Sequence, residues 1–276
     1  MDFKDVETTR LKQLLHDVAT VNAEPAGHFR LDGYDISEAL DSLDGRTGVS
    51  RDEMAQFEFL FIDALGRSKH GIPNLESQIA RVPALFVQAV AFVFKRSDEG
   101  EDPPEWKIED SEQREAVASA AYRLLDQLKK IPGTAENGVI DAGALAAWLA
   151  EVRRLCREHA RAEMGDYCLG QLLAKAPEGE DGLWPCEAVC EAMEGIASPG
   201  ISRGFNIGVR NSRGVHVRGE GGGQEREIAA KYRAWAERLH FDYPFVGSVL
   251  ESIATSYERE AGWQDSEAKI AKRLGH

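Results

Sequence analysis

Gly182-Leu183-Trp184-Pro185-Cys186 through Gln224-Glu225-Arg226 is the stretch on which the reading of this chain turns. It is the one segment whose residues do more than repeat an amphipathic helical pattern. Cys186 and Cys190 stand four apart, on one face of a predicted helix. Ser198-Pro199 is a helix start, because serine caps exposed backbone amides and proline suits the first turn. Ile201, Phe205 and Val209 recur every four residues and predict a helix ending near Asn211. Ser212 to Gly223 reads as a loop that closes on three glycines. Val215-His216-Val217-Arg218 alternates apolar and polar residues, so a short strand is the alternative there.

Outward from this stretch the period is helical. Ser50 and Glu53 form a capping box, each side chain answering the other's backbone amide, ahead of a helix through Leu65. Pro73-Asn74 opens another helix, and Pro83 kinks it or starts a new one. Ala84 to Phe94 is apolar on nearly every face and is expected to be the core of the N-terminal part. A helix over 110–131 carries Lys129 and Lys130 in its last turn, opposing the helix dipole. Asp141 caps the next helix. Gln224 to Leu239 is helical, and Asp242 with Pro244 opens the last and longest helix.

About eleven helices result. The expected class is all-α: antiparallel helix pairs in a solenoid-like stack or an irregular bundle. The acidic segment 97–107, with Pro103-Pro104, is the expected linker or loop. It separates an N-terminal helical subdomain, 1–96, from a C-terminal one, 108–276. Trp106 is a candidate docking anchor within it.

The bulk properties bound the function. The chain has 276 residues and a formal charge of −14, which argues against nucleic-acid binding over the whole surface. No apolar run approaches the roughly 20 residues of a membrane span. Met1-Asp2-Phe3-Lys4-Asp5 lacks the shape of a signal peptide, and four cysteines make no disulfide framework. The expected location is the cytoplasm.

The segments Pro83-Ala84-Leu85-Phe86-Val87-Gln88, Gly221-Gly222-Gly223-Gln224-Glu225-Arg226 and Tyr257-Glu258-Arg259-Glu260-Ala261 carry a resemblance. The chain resembles the C-terminal helical region of large uncharacterised bacterial proteins, several of them encoded among antiphage-defence genes. That resemblance implies a recognition or assembly region and brings no catalytic residue with it.

The candidate binding site is basic. Between Gly200 and Gly219 lie Arg203, Arg210, Arg213, His216 and Arg218, with no acid. Arginine forks recognise carboxylates and phosphates through paired hydrogen bonds. Asn206 and Asn211 add neutral hydrogen-bonding groups, and Trp184 is an aromatic contact nearby. The same arginines have another use, pairing with the chain's own excess of acids. Other chemistries fit less well. The triple glycine has no Lys-Ser or Lys-Thr and no preceding strand, as a phosphate loop requires. Gly133 to Ala144 fails as a calcium loop, since Gly133, Ala135 and Ala144 fall where carboxylates are needed. Cys156, His159, Cys168, Cys186 and Cys190 are the candidate zinc ligands, but only two pairs approach zinc spacing and both are helical. No cofactor or metal is expected.

The expected function is therefore a non-catalytic interaction or assembly module. Its basic loop meets an acidic protein partner or another copy of the chain. The alternative is a nucleic-acid or nucleotide sensor using the same loop.

Overall fold

A computed structural model describes residues 3–21, 31–66, 68–212 and 221–274. Among the described residues there are thirteen α-helices and one 3-10 turn, and the only β contact is an isolated bridge between Thr134 and Ile140. The all-α class holds, with a helix count close to the eleven expected. Residues 22–30, most of the loop expected from Asn22 to Gly33, and the alternative strand 215–218 lie outside the described residues.

Two compact units divide the chain. Unit 1 is Met1–Pro132 with Trp148–Ala162, and unit 2 is Gly133–Ala147 with Glu163–His276. The acidic segment 97–107 is thus no boundary; it lies inside unit 1. Composition marks it as solvated, but a distant cation holds it. Arg161, with its side chain only 2% exposed, forks onto both Asp102 oxygens at 2.7 Å. The same guanidinium donates to the carbonyls of Phe94 and His159 at 2.8 Å. Arg96 binds Asp98, and the Trp106 ring lies 4.4 Å from that of His159, so Trp106 is engaged rather than free.

Unit 1 contains α1 (Thr8–Val21), α2 (Gly33–Leu43), α3 (Arg51–Leu60), α4 (Ile62–Leu65), α5 (Pro73–Arg81), α6 (Pro83–Val93) and α7 (Ser111–Gln127). α8 (Ala142–Glu158) is shared between the units. The capping box forms as expected, with Glu53 N 3.1 Å from Ser50 Oγ and Ser50 N 3.0 Å from Glu53 Oε2. The helix it starts is interrupted at Phe61, so one predicted element becomes α3 and α4. Phe86, Val87, Ala89 and Val90 of α6 are buried, while Ala84 is exposed and Leu85 and Phe92 are half-buried. Its apolar character thus exceeds its burial. Lys129 and Lys130 lie beyond the end of α7, and both backbone amides donate to Glu76. A carboxylate, rather than the dipole of α7, positions them.

Glu58 is fully buried and caps α5, a helix that begins with proline and has no local side-chain cap. It accepts from Asn74 N at 3.2 Å and Leu75 N at 2.7 Å. His70 sits beside it, 3% exposed. Its Nδ1 is 2.6 Å from Asp41 Oδ1, and its Nε2 is 3.3 Å from Glu58 Oε1 without hydrogen-bond alignment. Burial opposes a charged ring here, but the Glu58 and Asp41 carboxylates outweigh it and raise the His70 pKa above 6.5. The folded state therefore binds this proton more tightly than the unfolded chain. The stabilisation is complete below the unfolded pKa and is lost as pH rises through the folded one. Denaturant titrations of the native chain, run upward from about pH 6, should show unit 1 weakening, and His70→Gln should flatten that slope.

Unit 2 contains α9 (Ala162–Leu173), α10 (Glu187–Ile196), α11 (Pro199–Ser212), α12 (Gly223–Leu239) and α13 (Pro244–Leu274). α12 and α13 form an antiparallel hairpin: Gly222 meets Asp265, Tyr232 stacks on Tyr257, and Arg233 reaches Glu251 and Glu258. α9 and α11 run parallel and touch through glycines. A Cβ on Gly200 would sit 2.8 Å from Asp166 Cβ, one on Gly204 1.9 Å from Tyr167 O, and one on Gly208 2.7 Å from Ala174 Cβ. Four-residue spacing puts these three glycines in one stripe. Glu194 of α10, half-buried, caps α13 by accepting from Phe245 N at 2.9 Å.

Candidate functional site: a basic stripe and an acidic groove in unit 2

The geometry of α11 separates its faces. Ile201, Phe205 and Val209 enter the core, and Gly200, Gly204 and Gly208 meet α9. Arg203, Asn206 and Arg210 follow at i, i+3 and i+7, the spacing of one remaining face. Arg203 and Arg210 are exposed. Arg203 bonds Glu163 Oε1 at 2.9 Å and lies 5.6 Å from the centre of the Tyr167 ring. Arg210 bonds Ser256 Oγ, and no carboxylate among the described residues pairs with it. Asn206 Nδ2 turns back to Ser202 O at 2.9 Å, and Asn211 is exposed. The predicted site residues Arg213, His216 and Arg218 lie outside the described residues.

Trp184, the expected aromatic contact, is half-buried. Its Nε1 donates to Ala176 O at 2.8 Å, and its ring lies among Phe205, Tyr232 and Trp235, with centroids 5.1–5.8 Å away. The indole N–H has its hydrogen-bond partner and the ring packs on other aromatics, which leaves Trp184 half-buried. Trp148, Trp235 and Tyr257 are buried.

The groove was not legible in the sequence. It has a volume of about 720 Å³ and lies between the 137–140 turn, the loop before α10, α10 itself and the α12–α13 connection. Ile140, Leu239 and Cys190 give it a buried apolar floor. Among its described lining residues, Glu178, Glu180, Asp181, Glu187, Glu191 and Asp242 face one cation, Arg238. Glu178 is bound by Lys231 at 3.1 Å, and Asp181 accepts from Leu183 N at 3.0 Å. Glu180, Glu187, Glu191 and Asp242 make no hydrogen bond or ion pair with any described residue. Burial, then the charges of Glu187 and Glu191, raise the Tyr243 phenol at its edge. The thiols carry no activated chemistry. Burial pushes Cys190 up to about 12 and raises Cys186 as well, and the Cys190 thiol donates to Pro185 O at 3.2 Å.

Among the described residues, no group of three or more His, Cys, Asp or Glu side chains is placed to hold a metal ion, and no helix is long and apolar enough to cross a membrane. The chain is an all-α protein of two compact helical units. No family model matches it, and neither curated proteins nor solved structures give a match.

Proposed function

We propose that the protein is a non-catalytic interaction module that meets an acidic partner through the basic stripe of α11. The observation that carries this is Arg210, an exposed guanidinium held by a hydroxyl and, among the described residues, by no carboxylate, two turns from Arg203. Arg203 supports the same reading, because an exposed ion pair is worth only about 0–1 kcal/mol and exchanges readily for a partner's carboxylate. The four cysteines form no disulfide and suit a reducing compartment such as the cytoplasm. On the resemblance to bacterial defence-associated proteins, the module serves as a recognition region.

The test is affinity capture from a bacterial lysate with the native chain and with the R203E/R210E variant as baits. Proteins retained by the native bait and lost on the variant are expected. An identical set on both baits overturns the reading. Oligonucleotide binding that falls steeply with salt and disappears in the same variant would move the reading to a nucleic-acid sensor.

A further inference from the structure

Unit 2 presents two surfaces of opposite sign, and among the described residues neither satisfies the other within one copy. Arg203 and Arg210 turn to Glu163 and Ser256, and α11 contributes nothing to the lining of the groove. We infer that the acidic groove of one copy receives the α11 basic stripe of a second copy, so that the protein associates head to tail. This rests on reading the stripe as a contact surface, and it identifies the stripe's acidic partner.

Charge complementarity selects the occupant. Four groove carboxylates are unpaired among the described residues, and desolvating them against an apolar body alone would be costly. Guanidinium groups repay that cost through charge-assisted, forked hydrogen bonds. The spacing also fits. Seven residues place Arg203 and Arg210 roughly 10 Å apart along α11, and four residues place Glu187 and Glu191 roughly 6 Å apart along α10. Two long arginines can straddle that pair and reach Asp242 or Glu180 beside it.

Apolar contact adds to the charge. Phe241 is 92% exposed in the connection that borders the groove, and Val139 on its wall is 58% exposed. Covering such side chains yields about 25 cal/mol per Å² of apolar surface. The two surfaces differ, so the contact is heterologous and generates chains or rings rather than a two-fold dimer. The formal charge of −14 repels copies at long range, but near 0.1 M salt the Debye length is about 10 Å, so whole-body repulsion fades before contact pairs do.

The experiment is sedimentation of the purified full chain over a range of concentrations at about 0.1 M salt. The native chain should gain mass with concentration. R203E/R210E and E187R/E191R should each stay monomeric while keeping native circular dichroism. Mixed in equal amounts they should associate again, because each restores charge complementarity to the other. Phe241→Ser should weaken native association several-fold. A chain that is monomeric throughout, native-like association by both reversal variants, or a well-folded mixture that fails to associate overturns the inference. So does a monomeric chain whose groove binds a pentalysine probe, since the occupant is then foreign. If the monomeric chain still captures partners through Arg203 and Arg210, self-association falls while the interaction module stands.

Discussion

Gly204→Ala should destabilise unit 2 by about 3 kcal/mol, at the upper end of what overpacking costs. The added methyl would lie 1.9 Å from the carbonyl oxygen of Tyr167, 2.8 Å from its carbonyl carbon and 3.1 Å from its Cα. All three are backbone atoms of α9, so no rotamer change relieves the clash and the helices must part. Separation would also disturb Gly170, where a Cβ would already sit 2.4 Å from Ile201 O. Gly195→Ala is the control. It lies in α10 with nothing within 4 Å of an added Cβ. There the usual gain of about 0.5–1 kcal/mol from removing a helical glycine should appear. Urea titrations of the two variants should shift in opposite directions. Equal or same-sign shifts would show that α9 and α11 do not touch through their backbones.

The second large effect is expected at Arg161. Arg161→Ala should cost about 3 kcal/mol, the low end for losing one partner of a buried ion pair, because Asp102 is 29% exposed and keeps Arg96 at 3.7 Å. Truncation takes both forks from Asp102 and leaves the carbonyls of Phe94 and His159 without this donor. It also releases the acidic segment from unit 1, so proteolysis should cut first within 97–107. Arg161→Lys should recover only part of the loss, because an ammonium cannot reproduce the planar fork. Arg154→Ala provides the contrast. That arginine has two acidic partners, Glu151 and Glu158, but its side chain is 48% exposed. Exposed pairs contribute about 0–1 kcal/mol, and the unfolding midpoint should barely move. A small loss at Arg161 would mean that the acidic segment is held by something else.

Both sites show how local pattern and tertiary placement diverge. The four-residue recurrence of Ile201, Phe205 and Val209 was readable because apolar side chains announce a buried face. Gly200, Gly204 and Gly208 recur at the same spacing one position earlier, so their stripe was present in the sequence too. A glycine names no partner, however, and only the approach of α9 gives the spacing its meaning. Trp184, an expected contact residue, is half-buried against Phe205, Tyr232 and Trp235 of α11 and α12, a packing that its sequence neighbours do not announce. Glu187, Glu191 and Glu194 share one helix, α10. The first two are exposed, and the third is drawn inward to cap α13.

Periodicity, capping residues and proline positions determined the all-α class and most helix starts, because these signals act within one or two turns of chain. Ser50, Pro73, Pro83, Asp141, Pro199 and Pro244 all open helices where their local chemistry requires. Only the tertiary structure decided the division into units, the service of Glu58, Glu194 and Arg161 to distant elements, and the acidic groove. Each of these depends on side chains tens of residues apart, and the energy of such a contact is set by burial and distance, which no local pattern encodes.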